Sequence, residues 1–128
     1  MKYISTDRAP TPAGHYSQAI LHKDYVFVSG QLAIDPATGE KKLGSITEQT
    51  KQVLSNMQEI LLAAGSDKSK VLKVTIYISE ISKWDEVNRV YAAFFGAHRP
   101  ARAVVPTGDL HHGFQVELEA IATTASSI

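Results

Sequence analysis

The chain contains only two segments with a helical pattern, so its helices can cover one face of a sheet but not both. The first segment begins after Ser45, which has capping-box spacing to Glu48. Apolar residues then recur at helical spacing as far as Gly65, where a helix is expected to stop. These residues are Val53, Leu54, Met57, Ile60, Leu61 and Ala64.

Ser82 is predicted to cap the second helical segment, with Asp85 three residues further on. Pro100 prevents its continuation because proline lacks the N–H that a helix interior requires. The expected buried stripe consists of Val87, Val90, Tyr91, Phe94 and Phe95.

Strand patterns fill most of the remaining chain after an irregular leader, Thr6–Gly14. The predicted strands are Tyr16–Leu21, Tyr25–Val28, Val71–Ser79, Ala101–Val105 and Gln115–Thr123. The order β-β-α-β-α-β-β predicts an α+β fold, a mixed β-sheet with two helices on one face. The other face must lie in solvent or against other subunits, which favours an oligomer.

Composition narrows the classes of function. A length of 128 residues suits a single domain over residues 1–128. Thirteen basic residues balance thirteen acidic ones, so nucleic acid and membrane partners are not expected. The absence of cysteine excludes disulfides, thiolate nucleophiles and cysteine-based zinc sites. No stretch approaches the ~20 apolar residues of a membrane helix, so the cytoplasm is the default location and an organelle matrix stays open.

Three charged residues are candidates for chemistry. Arg102 opens a strand, and its guanidinium fork matches a carboxylate with two hydrogen bonds. Glu117 and Glu119 alternate with apolar residues and should share one strand face, where a carboxylate can deprotonate a water. On spacing alone, a surface arginine and a solvated strand face explain these residues as well.

Other polar residues could line a pocket. Gly30 allows close approach to the backbone and Ser29 adds a hydroxyl, although a simple turn explains both. Tyr16 and Asn88 are pocket candidates that, taken singly, have structural explanations. The pair His111–His112 suggests a metal, but adjacent strand residues point apart and no carboxylate has a ligand spacing. We therefore expect no metal site and no cofactor.

Seven short segments together resemble one family, the Rid/YjgF reactive-intermediate deaminases, over about Ala9–Ala122. They are Gly14–Ile20 (G-H-Y-S-Q-A-I), Val28–Gln31 (V-S-G-Q), Pro36–Glu40 (P-A-T-G-E), Val87–Tyr91 (V-N-R-V-Y), Phe94–Phe95, Pro100–Arg102 (P-A-R) and Val116–Ala122 (V-E-L-E-A-I-A). Each segment is short, but their order and spacing together are specific.

The resemblance implies a chorismate-mutase-like fold that assembles as a homotrimer with clefts between subunits. It implies that Arg102 grips the substrate carboxylate, that Glu117 positions the hydrolytic water, and that Tyr16, Ser29, Gly30 and Asn88 line the cleft. The chain also departs from the pattern: His15 replaces the usual proline, Val104 replaces a frequent cysteine, and Asp109–Gly113 replaces an R-L-P-x-x segment.

The predicted activity is hydrolysis of 2-imino acids and their enamine tautomers, such as 2-aminoacrylate, to 2-keto acids and ammonia. Two alternatives stay open at this point. One is a non-catalytic module that binds small carboxylic acids. The other is a ribonuclease or translation inhibitor, which the balanced charge and the lack of a basic aromatic stripe disfavour.

Overall fold

The computed structural model describes residues 1–126. This part of the chain forms β1 (Lys2–Ile4), β2 (Ala19–His22), β3 (Tyr25–Gln31), α1 (Ile46–Ala63), β4 (Val71–Ile78), α2 (Trp84–Phe95), β5 (Ala101–Pro106) and β6 (Val116–Thr123). Short 3₁₀ turns at Lys68–Lys70, Ile81–Lys83 and His111–Gly113 precede β4, α2 and β6.

The strands form one sheet in the order β1-β2-β3-β6-β4-β5. Neighbouring strands are antiparallel except β4 and β5, which run parallel. Parallel neighbours need a long crossover, and α2 supplies it between these two strands. The predicted mixed sheet with two helices is therefore confirmed, and β5 forms one edge of it.

The two faces of the sheet differ in burial, as alternation along a strand requires. On β4, Val74, Ile76 and Ile78 are buried against the helices, whereas Thr75 and Tyr77 on the other face are half-exposed. We call this second side the open face. No helix within residues 1–126 is long and apolar enough to cross a membrane.

The first helix agrees with its sequence signals. The Ser45 hydroxyl oxygen accepts a hydrogen bond from the Glu48 backbone N–H at 3.1 Å, so the predicted cap is confirmed. The helix ends at Ala63, and Gly65 adopts a φ of 82°, a left-handed conformation that suits glycine at a helix end.

The start of the second helix was predicted wrongly. Ser82 lies inside the preceding 3₁₀ turn, and its hydroxyl points to the Glu80 carboxylate at 3.4 Å instead of capping α2. The helix begins at Trp84, and its first residues make no side-chain cap hydrogen bond. The extra turn moves the cap position by one residue, from Ser82 to Lys83, so the spacing from Ser82 to Asp85 has no capping significance.

Two strand boundaries also differ from prediction. Strand β1 was not predicted, because its three residues bury only Ile4 and its pairing with β2 depends on main-chain bonds. The strand predicted from Tyr16 begins at Ala19. The chain turns before this strand, where the Tyr16 N–H donates to the Gly14 carbonyl at 3.0 Å. The buried Gln18 side chain holds the leader, accepting from Thr6 N and donating to the carbonyls of Thr6, Ala9 and Pro10.

Candidate functional site

Two carboxylates lie side by side on the open face, as the alternation of β6 predicts. Glu117 is paired in register with Tyr77 and Glu119 with Thr75 on the neighbouring strand. The Tyr77 hydroxyl donates a hydrogen bond to Glu119, and that bond raises the pKa of Tyr77. Glu119 is thus engaged by a neighbour in the same chain.

The Glu117 carboxylate has a different environment. It makes no side-chain hydrogen bond to any residue in the range 1–126. Burial raises the pKa of Glu117, the charge of Glu119 raises it further, and the nearby His111 lowers it. An unpaired carboxylate with a raised pKa is a stronger proton acceptor than a typical surface glutamate, which suits a general base.

Gly30 makes room for that carboxylate. A Cβ at position 30 would lie 3.3 Å from Glu117 Cδ and much closer to its Oε2, so any other residue would displace the Glu117 side chain. The sequence suggested that Gly30 admits a ligand. In the structure, the space beside it holds the Glu117 carboxylate.

Ser29 lies at an irregularity in β3, where the register with β6 shifts between Val28 and Gln31. Its hydroxyl donates to the Ser17 carbonyl at 2.5 Å, which links β3 to the segment before β2. Within one chain, the Ser29 hydroxyl therefore has a structural partner. Its predicted role in substrate binding stays a prediction.

Tyr16 stands beside a pocket of about 60 Å³ that Gly30, His111 and His112 also line. The two imidazoles stack with ring centroids 3.6 Å apart, and His112 has a φ of 59°. The predicted opposite orientation of the two side chains is wrong, because the pair lies in a 3₁₀ turn and not in a strand. Within residues 1–126, no three histidine, aspartate or glutamate side chains cluster as metal ligands do.

Arg102 lies on the opposite side of the sheet. It pairs in register with Val74, whose side chain faces the helices. Its Nη1 donates to Asn88 Oδ1 at 2.9 Å, and its Cζ lies 4.7 Å from the ring centroid of Tyr91 and 5.4 Å from that of Trp84. Asn88, Tyr91, His98, Arg99 and Arg102 line a cleft of about 520 Å³ there.

The predicted residues thus form two groups. The glutamate half-site contains Tyr16, Gly30 and Glu117, and the arginine half-site contains Asn88 and Arg102. The sheet separates these groups within one chain, so a single copy cannot present Arg102 and Glu117 to one small molecule.

Sequence reasoning missed residues in both groups. Trp84 and Tyr91 were not predicted as site residues. With the predicted Asn88 they follow a helical i, i+4, i+7 spacing, so one helix face carries all three. The spacing is present in the sequence, but Tyr91 also fits the predicted buried stripe of α2 and was predicted only as a core residue. The sequence singled out His111 only as a possible metal ligand, because its proximity to Glu117 depends on the turn His111–Gly113.

The model of the family described as Endoribonuclease L-PSP matches residues 6–124. The chain belongs to this family, known as Rid/YjgF. A relative from Bos taurus, named 2-iminobutanoate/2-iminopropanoate deaminase, is 45% identical over 130 residues, covering 98% of this chain and 95% of the relative.

Solved structures of Rid/YjgF proteins agree with the fold. A Thermotoga maritima protein that carries an endoribonuclease name superimposes with a TM-score of 0.95 at 42% identity, covering 98% of this chain and 99% of the other. The E. coli protein TdcF with bound serine gives a TM-score of 0.93 at 34% identity, covering 98% and 100%. The names within the family therefore include both a deaminase and an endoribonuclease.

Proposed function

We propose that this Rid/YjgF protein is a hydrolase similar to 2-iminobutanoate/2-iminopropanoate deaminase. It converts reactive 2-imino acids and their enamine tautomers to 2-keto acids and ammonia. The observation that carries the proposal is the unpaired, partly buried Glu117 carboxylate, which lies in a half-site separate from a well-held Arg102.

Each half-site supplies one requirement of the reaction. The Arg102 fork binds the substrate carboxylate with two hydrogen bonds and so orients the imine. Glu117 holds a water and accepts one of its protons as the water oxygen bonds to the imine carbon. The π electrons of the carbon–nitrogen bond move to nitrogen. This addition needs no metal, because an imine carbon is already electrophilic.

The proton on Glu117 then completes the sequence. Its transfer to nitrogen gives a carbinolamine, in which carbon bears both a hydroxyl and an amine. The same carboxyl group takes the hydroxyl proton and passes it to the amine as the carbon–nitrogen bond breaks. Ammonia leaves and the 2-keto acid remains, with Glu117 again ionised. The raised pKa of Glu117 helps both steps, since the group must accept and return a proton near neutral pH.

The assembly follows from the separation of the half-sites. We propose a homotrimer in which the arginine half-site of one copy meets the glutamate half-site of the next. The open face, which the helices leave uncovered, is available for this contact, and it includes the exposed aromatic residues Tyr25 and Phe27.

Names and ligands of relatives support a small amino-acid-derived substrate. The bovine relative has a deaminase name, and the E. coli relative holds serine, a molecule with a carboxylate and an amine on one carbon. Serine binding also fits the alternative of a non-catalytic module. Turnover of freshly generated imine separates the two functions, and incubation with labelled RNA tests the endoribonuclease name.

The catalytic role of Glu117 is tested with a matched pair of variants. Glu117→Gln keeps the shape of the side chain but removes the proton acceptor, so we expect kcat for imine hydrolysis to fall by about 10²- to 10⁴-fold. Glu119→Gln alters the neighbouring carboxylate on the same face and should act mainly on stability or assembly. Parental kcat in Glu117→Gln, with loss in Glu119→Gln, reverses the assignment.

Mixed assemblies test the two-copy site. Arg102→Lys loses the two-pronged grip and Glu117→Gln loses the base, so each variant alone should be nearly inactive. In a trimer that contains both variants, about one cleft in three joins two intact half-sites. Co-refolding the two inactive variants should therefore restore activity, and co-refolded mixtures that stay inactive would place the site within one chain.

A further inference from the structure

The guanidinium of Arg102 is held by aromatic rings as well as by a hydrogen bond. Its Cζ lies over the rings of both Trp84 and Tyr91, while Asn88 accepts from Nη1. We infer that Trp84 is a positioning residue, which fixes the Arg102 fork for the carboxylate of the substrate. This inference rests on the proposed function, in which Arg102 binds that carboxylate.

A flexible arginine needs such support to bind a small acid tightly. Its long side chain has many rotamers, and ordering them on binding weakens affinity. Two aromatic faces and one amide oxygen restrict Arg102 before any ligand arrives. Because Asn88 engages only one N–H of the guanidinium, the remaining donors can face the carboxylate.

Trp84 contacts the guanidinium without lining the ligand cleft. The cleft is lined by Asn88, Tyr91 and Arg102, whereas Trp84 reaches the guanidinium from the first turn of α2. The indole is 36% exposed, so core packing alone does not account for its position. Indole is also the side chain that gives the strongest cation–π contact.

Tyr91 contributes its ring and not its hydroxyl. The side chain is buried, and its hydroxyl has no hydrogen-bond partner within residues 1–126. Burial raises the pKa of this hydroxyl, and the charge of Arg102 lowers it. The hydroxyl therefore stays neutral at physiological pH, and the contact that the structure shows with the guanidinium is through the aromatic face.

Trp84 is the only tryptophan in the chain, so intrinsic fluorescence reports directly on this contact. Pyruvate, a small 2-keto acid, is the probe. Titration of the folded protein should change the tryptophan emission, with a midpoint equal to the Kd from calorimetry. Binding seen by calorimetry without any change in emission overturns the inference.

Variants at position 84 provide the second measurement. Trp84→Leu keeps an apolar side chain but removes the aromatic face, so we expect Kd for pyruvate to rise about five- to tenfold. Trp84→Phe retains a ring and should weaken binding by only about twofold. In imine hydrolysis the Trp84→Leu effect should appear in KM with kcat nearly unchanged, because the fork binds ground state and transition state alike.

Controls separate the inference from the proposed function. Ile81→Ala alters an exposed apolar residue in the turn before α2 and should leave Kd for pyruvate unchanged. That result would show that a disturbance of this turn does not by itself weaken pyruvate binding. Arg102→Lys should abolish pyruvate binding. If Arg102→Lys binds as the parent does, the proposed carboxylate grip is wrong. If Arg102→Lys loses binding while Trp84→Leu and Trp84→Phe bind equally well, only the role of Trp84 is wrong.

Discussion

Gly30→Ala provides a stringent test of the glutamate half-site. A Cβ at position 30 would lie 3.3 Å from Glu117 Cδ and closer still to Oε2, against a normal contact distance of about 3.5 Å. The carboxylate must therefore shift by about 1 Å. A misplacement of that size costs about 10²-fold in rate, so we expect kcat to fall by that factor.

The same substitution should leave the fold nearly unchanged. The new methyl group meets the end of a flexible side chain, and Gly30 is not in the left-handed region, so alanine fits the backbone. Restricting the unfolded chain contributes about 0.4–1 kcal/mol of stability, which offsets the local strain. Unfolding free energies of parent and variant should agree within about 1 kcal/mol.

Gly44→Ala is the matched control. A Cβ there would lie 2.5 Å from Glu48 Oε2, which is also the end of a glutamate side chain, and neither Gly44 nor Glu48 lines either half-site. The assay generates imine with an amino-acid oxidase and follows 2-keto acid formation with and without protein. Parental kcat in Gly30→Ala, or an equal loss of kcat in Gly44→Ala, refutes the reasoning.

The structure makes three further predictions. Because burial raises the pKa of Glu117, kcat should be lost as pH falls through a value above the usual ~4.3 of glutamate. His111 lowers this pKa, so His111→Gln should move the acid limb of the pH–rate profile to higher pH. The same burial disfavours the ionised carboxylate in the folded state, so the free energy of unfolding should rise as pH falls through the raised pKa of Glu117. Glu117→Gln should therefore increase Tm at neutral pH. An unchanged Tm would show that the carboxylate is well solvated. Tyr91→Phe removes a buried hydroxyl without a partner and should keep both Tm and pyruvate affinity, whereas a tenfold loss of affinity in calorimetry would assign the hydroxyl a ligand contact.

Local signals predicted much of the fold. Ser45 and Glu48 define the start of α1 because a cap needs only residues close in sequence. The shared face of Glu117 and Glu119 also followed from strand alternation alone. The start of α2 was missed because a 3₁₀ turn at Ile81–Lys83 shifts the helix without changing its apolar stripe.

The division of the site was beyond local reasoning. That Arg102 and Glu117 lie on opposite faces depends on β5 pairing parallel to β4 while β6 inserts between β3 and β4. These pairings join residues far apart in sequence. The stacking of His111 on His112 likewise depends on the positive φ of His112, which no short sequence motif predicts.

One side chain of α2 belongs to two environments at once. Tyr91 packs in the core, 4.7 Å from the Phe95 ring centroid, and its face also supports the Arg102 guanidinium. A substitution that loosens the packing beneath α2 will therefore also move the guanidinium that we propose to bind the substrate carboxylate. We expect affinity for small acids to decline during heating before global unfolding begins, and variants selected for a repacked core to change in ligand preference as a by-product.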